Sequence, residues 1–181
     1  QYATTFGGFS WIDFRQNEAV VNPILLQRDT LLELEYNLML FRLGGTRSSS
    51  RIQEKHISGI ANNGEKDKLF SEMNDLTLKM KEALLKCETK KFGDLLHESW
   101  ILKKVINKGV TNNFVEECYD IALDLGALGG KLLGAGGSGY LLVYASPLYQ
   151  KQIKFAMQEK GLVHEMFKFC QNGLEVWTIK R

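Results

Sequence analysis

The chain has 181 residues, 44% hydrophobic and 24% charged, with 23 Lys plus Arg against 21 Asp plus Glu. That is the profile of one foldable unit: at this length folding hides roughly 70% of the unfolded surface, enough for one sizeable core. A formal net charge of +2 gives no strong electrostatic reason for nucleic-acid binding, and the Lys-rich stretch 79–108 is interleaved with Glu82, Glu88, Asp94 and Glu98, as a solvated helical face would be.

Apolar runs such as residues 140–145 fall far short of the roughly 20 residues a membrane span requires. Cys87, Cys118 and Cys170 are odd in number, widely spaced and free of CxxC pairing, so neither a disulfide framework nor a zinc knuckle is indicated and a cytoplasmic setting is expected. His56, His97 and His164 lack any metal-ligand spacing, and no metal site is assigned. The chain opens at Gln1 without Met or a secretory signal, so it reads as a piece of something longer.

In chain order, FSWIDFRQNEAVVNPI (residues 9–24) predicts two short strands about Gln16-Asn17. Asp29 or Thr30 caps a short helix ending at Tyr36, and NLMLFRL (37–43) is a buried strand broken by Gly44-Gly45. Ser48 to Ser50 cap a helix bearing Ile52, His56, Ile57 and Ile60, which NNGEKD (62–67) ends. Three apolar stripes at helical spacing follow: Leu69 to Cys87, Phe92 to Ile106, and Phe114 to Leu125. Each is too short to favour a coiled coil over packing within the domain.

GGKLLGAGGSGYLLVYA (129–145) then reads as strand, glycine loop, strand, and Pro147 opens a helix to about Lys160. LVHEMFKFC and LEVWTIK flank Asn172-Gly173, a hairpin signal. The expected class is α+β: a ferredoxin-like domain, its antiparallel sheet covered by helices on one face.

Gly126, Gly129, Gly130, Gly134, Gly136, Gly137 and Gly139 place seven of the 17 glycines in fourteen residues. Glycine visits both signs of φ, so such a run can turn several N–H groups inward as an anion-binding nest; a tightly packed turn is the bland alternative. The pattern is neither the P-loop nor the dinucleotide fingerprint.

These residues are recognisable. GGKLLGAGGSGYLLVYA resembles the third motif of the GHMP small-molecule kinases. QYATTFGGFSWIDF, LGGTRSSSRI and FGDLLHESWILKK resemble the D-glycero-D-manno-heptose 7-phosphate kinase branch, so the likeness runs from Gln1 almost to Arg181. The resemblance implies the C-terminal half of an ATP-dependent sugar kinase: residues 1–28 a remnant of the N-terminal domain, and residues 29–181 the C-terminal domain.

It further implies a catalytic aspartate immediately before Gln1, an N-terminal-domain phosphate loop as missing partner, and ATP with Mg2+ bound largely by that absent half. Within this chain it implies that Gly134, Ala135, Gly136, Gly137 and Ser138 close over the nucleotide phosphates. Ser138 departs from the commoner glycine and makes positive φ costly there. Thr46, Arg47 and Ser49 match the branch's S-R-x-S turn. Arg47 is able to pair with a phosphate or to bridge surface carboxylates, and Lys131 to contact phosphate or form a salt bridge inside the sheet.

Thr4 and Thr5, read as strand residues, reach substrate or are simply hydrogen-bonded. His97 and Glu98 project about 100° apart on a helix, so His97 is read as structural, Trp100 as a core or interface anchor, and Trp177 as a strand residue packed on helices. The implied partners are a sugar phosphate and ATP, without nucleic acid or membrane; a homo-oligomer stays open. Fucokinase- or galactokinase-like activity and a non-catalytic binding module are the rival readings. The chain alone is expected to be inactive and to expose an apolar seam.

Overall fold

The computed structural model describes residues 1–44, 63–107, 109–134 and 139–177. A short helix α1 (Tyr2–Phe6) leads into an antiparallel hairpin of β1 (Ser10–Phe14) and β2 (Ala19–Pro23), closed where the Arg15 N–H donates to the Glu18 carbonyl. The hairpin about Gln16-Asn17 therefore forms as the strand propensities predict. α2 (Arg28–Asn37) and β3 (Leu38–Arg42) follow, then α3 (Asn63–Leu85), α4 (Thr89–Ile106), α5 (Asn113–Asp124), β4 (Ala127–Leu133), β5 (Tyr140–Ala145), α6 (Pro147–Glu159) and β6 (Val163–Glu165). The class is α+β with antiparallel sheets.

The second sheet has the order β4-β5-β3-β6, every pair antiparallel. Because side chains alternate along a strand, its two faces separate cleanly. Met39, Phe41, Leu132, Leu141 and Val143 meet α5 and α6 through Val115, Cys118, Tyr119, Ile153 and Met157 in the main core. On the opposite face Leu38 and Tyr144 pack with Leu34 of α2, Leu96 of α4 and Leu84 of α3, flanked by Phe9, Phe167 and Phe169. Helices thus cover both faces, which corrects the expectation of one. The amphipathic stripes do not reveal which face of a sheet a helix will choose, and α4 takes the side where glycine leaves room.

That room is specific. A Cβ on Gly129 would lie 2.4 Å from the Gly93 carbonyl oxygen and 2.6 Å from the His97 amide nitrogen, and a Cβ on Gly93 would lie 2.6 Å from the Tyr144 ring. Backbone of α4 and β4 therefore touch at a seam that no side chain could occupy. Tyr144, across the seam on β5, accepts a hydrogen bond from Asn37 Nδ2 at 3.1 Å, tying α2 to the same face.

Residues 63–67 form the start of α3, where Glu65 complements the positive helix end, and other local expectations fail. The helix expected over residues 48–61 lies outside the described residues. Asn172-Gly173 closes no hairpin. The Gly8 N–H donates to the Cys170 carbonyl and the Leu174 N–H to the Thr5 carbonyl, both at 2.9 Å, so the backbone of Cys170 and Leu174 pairs with the N-terminal segment rather than across a turn. Trp177 is accordingly not a packed strand residue but 78% exposed. Finally, Thr4 and Thr5 lie in α1 rather than a strand, with both hydroxyls bonded to the Gln1 carbonyl at 2.8 and 3.0 Å.

The seam generates a stability prediction. Gly129→Ala should destabilise the full polypeptide carrying this chain at the upper end of the about 1–3 kcal/mol typical of overpacking, because the obstructing atoms are backbone. Urea unfolding monitored by circular dichroism checks this.

Candidate functional site

The glycine loop leaves the sheet between β4 and β5, and the register determines what stands beside it. Leu133 pairs with Tyr140, Tyr140 with Arg42, and Arg42 with Val163, so the ends of all four strands line up across one edge. The Leu43 N–H donates to the Gly139 carbonyl at 3.0 Å, pinning the exit of β3 to the foot of the loop. Both predicted loops, the one after Leu43 and the one after Leu133, consequently leave from the same end of the sheet. Thr46, Arg47, Ala135, Gly136, Gly137 and Ser138 lie outside the described residues; Gly134 and Lys131 lie within them.

Gly134 has φ +90°, a backbone region that strains other residues, and a Cβ on Gly139 would sit 2.2 Å from the Leu133 carbonyl oxygen. The loop's neck therefore closes only with glycine on both sides. Packing explains other members of the cluster as well. Gly126 has φ +96° after α5 and lies under the Tyr149 ring, Gly129 forms the seam, and a Cβ on Gly130 would strike the Leu142 carbonyl. Five of the seven clustered glycines thus answer to the fold, and the other two, Gly136 and Gly137, lie outside the described residues.

Arg42 is a cation at this end that the sequence reading passed over. Its Nε lies 2.5 Å from Glu165 Oε1, and the Tyr140 hydroxyl also bonds Glu165, which raises the phenol above its ordinary range. Its charge is therefore already neutralised at the edge of the sheet.

Lys131 differs. Alternation along β4 places it on the same face as Gly129, toward α4, and it is half-buried. Burial lowers its pKa below the usual lysine value, and the neighbouring charge of Lys103 on α4 lowers it further. The salt bridge considered for Lys131 is not found among the described residues. Lys104, one position on, does have a partner: its Nζ lies 2.5 Å from Glu116 Oε2.

His97 is structural, as read from its helix position. Its Nδ1 stands 2.7 Å from the Tyr119 hydroxyl, with the two rings stacked at 5.9 Å. Burial raises the Tyr119 pKa, and a hydrogen bond with the Gly130 backbone partly opposes that, so Tyr119 holds α4, α5 and β4 together as a neutral phenol. Trp100 is fully buried beside it. The three cysteines are free. No described helix is long and apolar enough to cross a membrane.

The neck of the glycine loop and the exit of β3 thus lie together at one end of an antiparallel sheet. The chain carries a GHMP kinase C-terminal domain: residues 80–162 match the family described as GHMP kinases C terminal. Along 181 residues it is 34% identical to the D-glycero-alpha-D-manno-heptose 7-phosphate kinase of Campylobacter jejuni, covering 99% of this chain and 53% of that protein. It is also 34% identical over 108 residues to the L-fucokinase/L-fucose-1-P guanylyltransferase of Bacteroides fragilis, covering 59% of this chain and 11% of that protein.

Among solved structures, a D-glycero-D-manno-heptose 1-phosphate kinase from Bacteroides thetaiotaomicron superposes with a TM-score of 0.67 at 24% identity, a likeness of fold, over 98% of this chain and 48% of that one. The chain spans about half the length of the heptose kinases it matches.

Gly139→Ala should spread the loop's neck. Amide hydrogen exchange at Leu43, whose N–H donates to Gly139, is expected to accelerate by at least about tenfold, equivalent to ~1.4 kcal/mol of local stability, and exchange mass spectrometry reads it directly.

Proposed function

We propose that the polypeptide carrying this chain is an ATP-dependent kinase that phosphorylates the anomeric hydroxyl of D-glycero-D-manno-heptose 7-phosphate in the cytoplasm. The observation that carries the reading is the register at the loop-bearing end of the sheet, where the exit of β3 is bonded to the foot of the glycine loop. Likeness along nearly the whole chain to a protein named as a heptose 7-phosphate kinase supports the choice of substrate.

In this reading residues 1–28 belong to an N-terminal domain supplied by the rest of the polypeptide, and residues 29–181 form the C-terminal domain. The strand order β4-β5-β3-β6 with α6 between β5 and β6 supports a ferredoxin-like layer.

Backbone N–H groups of Gly134, Ala135, Gly136, Gly137 and Ser138 would hold the nucleotide phosphates, while Thr46, Arg47 and Lys131 would bind the acceptor. The anomeric oxygen bonds to the γ-phosphorus as the bond to the β,γ-bridging oxygen breaks, releasing ADP. The hydroxyl proton passes to an aspartate that the family resemblance puts immediately before Gln1. Positioning and charge stabilisation carry most of such a reaction. Among the described residues no three His, Cys, Asp or Glu side chains converge to hold a metal. Mg2+ usually takes only one or two carboxylates from a protein, and in this reading they would come largely from the part of the polypeptide outside this chain.

Gly136→Val in the full polypeptide should lower kcat/KM for ATP by about 10²-fold or more, the scale of losing a preorganised backbone donor, with the circular dichroism spectrum unchanged. Unchanged ATP kinetics would remove the loop from the nucleotide site. The fucokinase likeness favours a second reading, fucose as acceptor. A panel of heptose 7-phosphate, fucose, galactose and mevalonate with ATP separates the two: turnover concentrated on the heptose phosphate supports the first reading, and preference for fucose replaces it with the second.

A further inference from the structure

We propose that the cleft at the end of the sheet opposite the glycine loop is a second small-molecule site, one that binds an uncharged pyranose sugar through its ring hydroxyls. The inference does not depend on the kinase reading. The length of β5 separates this cleft from the loop by about 20 Å, and no residue assigned to nucleotide or acceptor lines it.

The cleft has a volume of about 770 Å³, within the range of small-ligand pockets. It lies between the end of α2, the first turn of α4, and the turns that enter β4 and leave β5. Contacts already made hold its walls. The Tyr149 ring rests against Gly126, where a Cβ would lie 2.8 Å from it, and the Tyr144 ring rests against Gly93 in the same way at 2.6 Å. Gln150 Nε2 donates to the Tyr36 carbonyl at 2.6 Å and to the Ala145 carbonyl at 3.0 Å, which ties the end of α2 to α6. A site assembled before its ligand arrives loses little entropy on binding.

The floor is a run of hydrogen bonds with a buried middle. Asn37 Nδ2 donates to the Tyr144 hydroxyl at 3.1 Å, that hydroxyl also bonds Thr89, and Thr89 Oγ1 donates to Glu33 Oε1 at 2.5 Å. Asn37, Tyr144 and Thr89 are all buried. Burying polar groups repays its cost only when they are bonded, and here the two ends of the run are left over. One Asn37 amide hydrogen, Asn37 Oδ1 and Glu33 Oε2 have no hydrogen-bond partner among the described residues, and both side chains line the cleft.

Those ends define the ligand. A donor and acceptors set close together suit groups that themselves both donate and accept, as vicinal hydroxyls do. Charge at the cleft cancels, with the Glu33 carboxylate set against the Lys90 ammonium, so a neutral ligand suits it better than a phosphate. The exposed rings of Tyr36 and Tyr149 supply flat apolar faces on which the C–H face of a pyranose stacks. A neutral nucleoside shares the flat face but confines its base's polar groups to the ring edge, and it enters the test as the rival.

The test uses the full polypeptide as wild type, Tyr36→Phe, Tyr36→Ala and Glu33→Gln, with saturation-transfer NMR and titration calorimetry as readouts. The probes are the methyl glycosides of mannose, glucose, galactose and fucose, a dideoxy glycoside of each lacking two adjacent hydroxyls, glucose 6-phosphate and adenosine. Each is added with heptose 7-phosphate and ADP in excess, which occupy the kinase site.

At least one glycoside should bind wild type and Tyr36→Phe alike, and weaken by about tenfold in Tyr36→Ala, in Glu33→Gln, and on loss of its adjacent hydroxyls. Tyr36 and Glu33 are exposed, so both variants should keep the wild-type circular dichroism and melting midpoint. Absence of binding by every glycoside overturns the proposal, as does binding that Tyr36→Ala and Glu33→Gln leave unchanged. Adenosine or glucose 6-phosphate binding through these residues in preference to the glycosides overturns it too. Absence of turnover with heptose 7-phosphate would count against the kinase reading alone, because glycoside binding is read without catalysis.

Discussion

Everything at the loop-bearing end of this domain depends on one close approach: α4 resting on β4 with Gly93, Gly129 and the Tyr144 ring in mutual contact. Side-chain packing alone would hold a helix about 10 Å from a sheet; here the missing Cβ atoms let backbone meet backbone. The seam sets the height of α4, and with it the positions of His97, Trp100, Lys103 and Lys104 along the edge of β4. Tyr119 then closes that edge from the other side through His97 and the Gly130 backbone. An edge strand gripped on both faces is a rigid base for a loop, and a glycine neck at Gly134 and Gly139 lets the chain turn there.

The same seam has an electrostatic consequence. Lys131 on β4 is half-buried and feels the charge of Lys103 on α4, while Arg42 and Lys104 pair with Glu165 and Glu116. Lys131 stands three residues before Gly134, at the root of the glycine loop, within the stretch 80–162 that matches the kinase family.

The helices α4, α5 and α6 and the strands β3, β4 and β5 were legible because their signals are local: apolar periodicity, Pro147 in a first turn, glycine between two apolar runs. What misled was punctuation whose meaning depends on distant partners. Asn172-Gly173 has the chemistry of a tight turn, yet the backbone of Cys170 and Leu174 finds its hydrogen bonds in residues 5–8, more than 160 positions away. Asn63-Gly64 reads equally well as a stop or a start, and only the packing of α3 on α4 decides it.

In the glycine cluster, five of the seven members answer to the fold itself, through close packing or positive φ. The seam itself could not be singled out, because Gly129 looks like any other member of the run until Gly93 and His97 are known to lie against it. The measurement that bears most directly on the whole account is a crystal structure of the full polypeptide with a non-hydrolysable ATP analogue. The account predicts triphosphate oxygens within hydrogen-bonding distance of the amides between Gly134 and Ser138. A nucleotide bound elsewhere, with those amides satisfied by neighbouring protein, would contradict it.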